Sequence, residues 1–88
     1  MLNKYRKNPQ YKLRKFGGNS YLFNSDSAFE VNEVGVSVWK NIGKQKTIDE
    51  LAKELQKLYN NAEQSSISID IDDFIRTLLA ENMITIRR

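Results

Sequence analysis

The sequence predicts an α+β fold, a three-stranded antiparallel sheet followed by three helices. Three observations predict it. Residues 11–31 alternate strand-forming stretches with compact turn clusters. From Asn32 onward the apolar residues switch to a helical period. Thr47-Ile48-Asp49-Glu50 then forms a capping box, in which the threonine caps a helix and the glutamate three residues later reaches back.

The elements follow in order. Residues 1–10 hold the one proline, Pro9, beside Asn3, Asn8 and Gln10, and are expected to form a flexible basic arm, frayed or docked on a partner. Residues 11–88 make the folded domain. Tyr11-Lys12-Leu13-Arg14-Lys15-Phe16 is rich in strand formers. Gly17-Gly18-Asn19 is a compact turn, because glycine reaches positive φ without a Cβ penalty. Ser20 to Asn24 is the returning strand, Ser25-Asp26-Ser27 a second turn, and Ala28-Phe29-Glu30-Val31 a third strand. Three strands this close form a meander with one face that needs cover.

Val34, Val38, Trp39 and Ile42 then share one face of a helix. Asn32 is its expected N-cap and Gly43 its stop. Gly35 sits inside that helix at a cost of about 1 kcal/mol relative to alanine, and close backbone packing is the usual reason. In the second helix Ile48, Leu51, Ala52, Leu55, Leu58 and Tyr59 form an apolar stripe, and Asn60-Asn61 ends it. Ser66 to Asp72 alternates as a strand would, yet Ile67, Ile71, Phe74, Ile75 and Leu78 fit one long helical face. The expected third helix runs from about Ser68 to Glu81, with Asn82 as the residue that tolerates a left-handed ending. Met83 to Ile86 reads as a terminal extended segment. This order, with three helices beside a small antiparallel sheet, is winged-helix-like.

Composition narrows the function. The chain has 88 residues, 40% hydrophobic and 28% charged, ordinary for a soluble globular domain. At this size only about 60–65% of the unfolded surface is buried on folding, so nearly every large apolar residue is needed in the core. With no cysteine and no histidine, disulfides, thiolate metal sites, cysteine nucleophiles and a Ser-His-Asp triad are excluded. No apolar run is long enough to span a membrane and the N-terminus lacks a signal peptide's apolar segment, so a cytoplasmic, non-enzymatic binding domain without cofactors is expected. Residues 1–24 carry Lys4, Arg6, Lys7, Lys12, Arg14 and Lys15 and no acid, +6, while residues 25–88 carry 8 basic and 11 acidic residues, −3. A basic segment on a mildly acidic body suggests an anionic partner.

The carboxylates Asp70, Asp72 and Asp73, and Asp49 with Glu50, fall at predicted helix starts, where the helix dipole favours negative charge without any catalysis. Gly17-Gly18 leads into a strand and is followed by no Gly-Lys-Ser/Thr, so it is not a phosphate loop. The aromatics Tyr11, Phe16, Tyr21, Phe23 and Phe29 are expected in the core, as is Trp39 beneath the sheet.

The edge of the sheet is more informative. Ala28 to Val31 has no proline or lysine to prevent pairing, so its free N–H and C=O groups can capture an extended peptide beside an amphipathic helix. Two other occupants fit the same pattern, the Met83–Ile86 segment and a second copy of the chain. A winged-helix nucleic-acid binder is the alternative function. It needs a basic recognition helix, and the third helix carries one cation, Arg76, against Asp70, Asp72, Asp73 and Glu81.

Three segments together resemble PqqD-like proteins. They are Phe29-x-Val31-Asn32-Glu33-x-Gly35-x-x-Val38-Trp39, then Gly43-x-x-x-Thr47-Ile48-x-x-Leu51-Ala52-x-x-Leu55-x-x-x-Tyr59, then Asp70-Ile71-x-x-Phe74-Ile75-x-x-Leu78-Leu79-x-x-x-Met83-Ile84. The chain differs from the pattern in carrying valine for leucine at Val31 and asparagine for glycine at Asn82. The resemblance implies a recognition element for ribosomally synthesised precursor peptides, which binds the leader region by strand addition and presents it to a modifying enzyme. It implies as partners a leader peptide and a radical SAM enzyme or a lasso-peptide protease or cyclase, with a homodimer also compatible and no role for nucleic acid or membrane. Carried onto this chain, the peptide would meet Ala28, Phe29, Glu30 and Val31 on the strand and Asp70, Asp73, Phe74, Thr77 and Leu78 on the helix. The basic hairpin would steer an acidic leader.

Overall fold

The computed structural model describes residues 1–58 and 63–87. The strands are β1 (Tyr5–Lys7), β2 (Lys12–Phe16), β3 (Asn19–Phe23), β4 (Ala28–Val31) and β5 (Ile84–Ile86). The helices are α1 (Glu33–Asn41), α2 (Ile48–Leu58) and α3 (Gln64–Ala80). The expected three-stranded sheet is present as β2-β3-β4, antiparallel throughout, followed by three helices. A separate ribbon pairs β1 with β5.

Local chemistry sets most boundaries. Phe16 pairs with Asn19 across a two-residue turn in which Gly17 (φ 57°) and Gly18 (φ 86°) both take the left-handed region, the geometry that matches strand twist. Asn24 Oδ1 accepts the N–H groups of Asp26 (2.9 Å) and Ser27 (2.8 Å), which turns the chain into β4. Asn32 caps α1 by accepting the Gly35 N–H at 2.8 Å. The capping box of α2 is closed in both directions, Glu50 N–H to Thr47 Oγ1 at 3.0 Å and Thr47 N–H to Glu50 Oε1 at 3.1 Å. Those bonds hold the Glu50 carboxyl below its ordinary value. Asn82 (φ 57°) ends α3 as expected.

Three expectations are corrected. The first is the arm. Residues 2–7 are built into the fold, with Leu2 at 0% exposure and Tyr5 at 8%. The Leu2 N–H donates to Lys46 O (2.7 Å), Leu2 O accepts from the Gly43 N–H (2.9 Å), and β1 lies against β5. The cause is apolar: in so thin a core, Leu2 and Tyr5 gain more by burial than their segment loses by ordering. The second is α3, which begins at Gln64 rather than near Ser68. A strand would place Ile67, Ile69 and Ile71 on one face; the helix buries Ile67 and Ile71 and leaves Ile69 61% exposed. The third concerns aromatics. The register places Phe16, Tyr21 and Phe23 on the face of the sheet opposite Leu13, Leu22 and Val31. Phe16 is 62% exposed and stands 6.3 Å from the Tyr21 ring. Leu58, expected in the α2 stripe, is also exposed; the positions expected to continue and end that helix, Tyr59 to Asn61, lie outside the described residues.

The core joins the buried faces of all three helices to Leu22, Val31, Leu2, Tyr5, Met83 and Ile84. Trp39 is buried in it, with the Lys7 ammonium 5.4 Å from its ring centroid, so it adjoins the ribbon. Burial, and secondarily the neighbouring Lys44, holds the Lys7 amine below its ordinary value.

Candidate functional site

β4 is an edge strand. It is paired with β3 along one side, from Ser20↔Val31 to Phe23↔Ala28, and no described strand pairs with its other side. Alternate residues of such a strand direct their N–H and C=O groups away from the sheet. The segment that could have covered it, Met83 to Ile86, is committed elsewhere. The Met83 N–H donates to Leu78 O at 2.9 Å, Met83 O accepts from the Asn8 N–H at 2.9 Å, and Ile84 to Ile86 pair with β1.

The first turn of α1 and the solvent side of α3 form a cleft of about 300 Å³ lined by Asn32, Val34, Asp70, Asp73, Phe74 and Thr77. Its floor depends on a glycine. A Cβ on Gly35 would lie 2.9 Å from Phe74 Cζ, so only glycine lets the ring lie flat on the α1 backbone. The ring is half-buried, its inner side packed against the core. Asp70 and Asp73 rim the cleft, while Asp72 is engaged by Arg76 at 3.1 Å. Thr77 Oγ1 donates to Asp73 O at 3.1 Å, which fixes its rotamer.

The nine residues singled out from the sequence divide into three groups. Asp70, Asp73, Phe74 and Thr77 meet in the cleft. Ala28, Phe29 and Glu30 are exposed on β4, whereas the Val31 side chain is buried and offers only its backbone. Leu78 is corrected: at 0% exposure it is part of the core and cannot touch a ligand at the surface. Asn32 and Val34 were missed. The signal for them was Gly35, whose close approach marks the place where α1 meets the Phe74 ring. Among the described residues no group of acids could hold a metal ion, and no helix is long and apolar enough to cross a membrane.

Residues 20–84 match the family model described as coenzyme PQQ synthesis protein D (PqqD). The chain belongs to the PqqD family. The match begins in the β2–β3 hairpin and ends in β5, so it takes in β4, the cleft and all three helices. A comparison with curated proteins finds no match. Two solved structures share the fold of this PqqD-family chain. One is described as TbiB1 in complex with the TbiA(beta) leader peptide, with a TM-score of 0.69 at 16% identity over 90% of this chain and 93% of that one. The other is a lasso peptide synthetase B1 complexed with the leader peptide, with a TM-score of 0.77 at 14% identity over 93% and 98%.

Proposed function

We propose that this PqqD-family chain binds the leader region of a ribosomally synthesised precursor peptide and presents it to a modifying enzyme in the cytoplasm, doing no chemistry itself. The peptide adds as a strand to β4, with main-chain hydrogen bonds supplying affinity. Its side chains on one face enter the cleft over Phe74, between Val34 and the Asp70, Asp73 and Thr77 flank. The observation that carries this reading is the unpaired side of β4 in a chain whose own tail is spent on β1. Two proteins of the same fold solved with leader peptides support it. The acidic surface of α3, with Arg76 already paired to Asp72, disfavours a phosphate backbone there. The enzyme served would be a radical SAM enzyme or a lasso-type protease or cyclase.

The test is an amide-resolved NMR titration with a synthetic leader taken from a precursor gene next to this one. Shifts confined to residues 28–34 and 70–77 are expected. A saturable interaction that leaves 28–31 unmoved would remove strand addition as the mechanism.

A further inference from the structure

A cavity larger than the cleft over Phe74 is present among the described residues. It lies on the far side of α1, a groove of about 460 Å³ between that helix and the β2–β3 hairpin. Glu33, Val36, Ser37 and Lys40 form its helical wall, spaced i, i+3, i+4 and i+7 on one face. Gly35, which receives the Phe74 ring, falls on the opposite face of the same helix. Leu13, Arg14, Lys15 and Ser20 form the hairpin wall, and Leu58 stands at the rim. The groove thus has an aliphatic floor, Leu13 with Val36, under two cations, Lys15 and Lys40, while the register turns the Arg14 side chain to the other face of the sheet. Leu58 is 72% exposed there, a large apolar side chain that the chain's own core leaves uncovered.

We propose that this groove is a second docking surface, which takes an acidic, leucine-bearing segment of another protein while β4 holds its peptide. The chemistry fits that occupant on both counts. Carboxylates meet Lys15 and Lys40, and aliphatic side chains cover Leu13, Val36 and Leu58. A nucleic acid would satisfy the cations but leave the aliphatic floor unmatched. The purpose rests on the peptide-binding reading: a domain that holds a peptide on one side of α1 needs another side for the protein that acts on it. The two sites lie on opposite faces of α1.

The probe is a short synthetic peptide alternating glutamate and leucine, titrated into the full chain and followed by amide shifts. Shifts are expected at 13–15, 20 and 36–40, with 28–31 and 70–77 unmoved. Lys15→Glu combined with Lys40→Glu should weaken binding at least about tenfold without changing the unfolding temperature appreciably. Salt at about 0.5 M should weaken it several-fold, as for exposed charges within a Debye length. The matching lysine–leucine peptide should not bind. The proposal is overturned if the glutamate–leucine peptide moves no amides or moves only 28–31 and 70–77. It is overturned equally if a thymidine oligonucleotide binds the groove as tightly. Groove amides that shift with concentration of the protein alone would assign the groove to a second copy instead. None of these results touches strand addition, which fails only if a leader peptide leaves 28–31 unmoved.

Discussion

β4 and β5 are alike in sequence and opposite in fate. Each is a short strand, Ala28–Val31 and Ile84–Ile86, with no proline or lysine to discourage pairing. β5 is paired along one side by β1, at the other end of the chain, and Ile84 is 1% exposed. β4 is paired on one side, and Phe29 on it is 37% exposed. The difference is made by chain connections. Asn82 turns the chain sharply after α3, and Asn8 holds the turn through its side-chain amide to Asn82 O at 2.9 Å and its N–H to Met83 O. The two termini are thereby paired with each other rather than with β4, whose outer side no described strand covers. An open edge is thus a product of where the tail is delivered, not of the strand's own composition.

That contrast can be broken most directly at the ribbon. Deleting residues 1–7 removes Leu2 and Tyr5 from the core and leaves β5 without a partner; a loss of about 5 kcal/mol or more is expected, a large part of the stability of a domain this size. Urea unfolding measures it, and a flexible arm would show no change. Leu2→Ala alone should cost about 2–5 kcal/mol, because the side chain is fully buried and the site is closed by backbone bonds on both sides.

The contrast is sharpened on the β4 side by changes that spare stability. Gly35→Ala gains helix propensity worth about 1 kcal/mol but drives a Cβ to within 2.9 Å of the Phe74 ring. The ring must shift into the cleft, so affinity for the leader peptide should fall about tenfold while unfolding changes by no more than about 1 kcal/mol, a contrast that calorimetry of binding and thermal melts resolve together.

The smallest effect is expected far from both edges. Thr47→Ala should cost about 1 kcal/mol at neutral pH by opening the α2 cap, with peptide binding unchanged. Its partner Glu50 has a depressed carboxyl pKa, first from the bond to the Thr47 backbone. The stabilisation from that pairing is present above the ordinary value of 4.5 and is lost as pH falls through the lower folded value, so the wild type and a Glu50→Ala variant should draw together in strongly acid urea melts, while the Thr47→Ala deficit, which rests on the uncharged Oγ1 cap, persists.

How much was legible in the sequence differs between these regions. The meander, the caps at Asn32 and Thr47 and the stop at Asn82 were readable, because each rests on neighbours in the chain: turn glycines, reciprocal capping groups, one left-handed residue; the α3 residues that line the cleft came with the resemblance to PqqD-like proteins. The role of Gly35 was half legible; its presence in a helix announced a close approach but not that Phe74 makes it. The ribbon was illegible. Tyr-Arg-Lys carries no strand signature strong enough to outweigh Pro9 and the cations around it, and its partner lies near the other end of the chain.

The sequence by itself therefore determined the meander of β2 to β4 and the three helices that follow, and that β4 lacks any residue to forbid pairing. Tertiary structure alone decided that the outer side of this strand stays unpaired, that the N-terminus belongs to the core, and that Lys15 of the hairpin faces α1 across a groove. The physical reason is range. Periodicity and capping act within a turn or two of the chain, while pairing of distant strands and the burial of Leu2 are won only when the whole core closes.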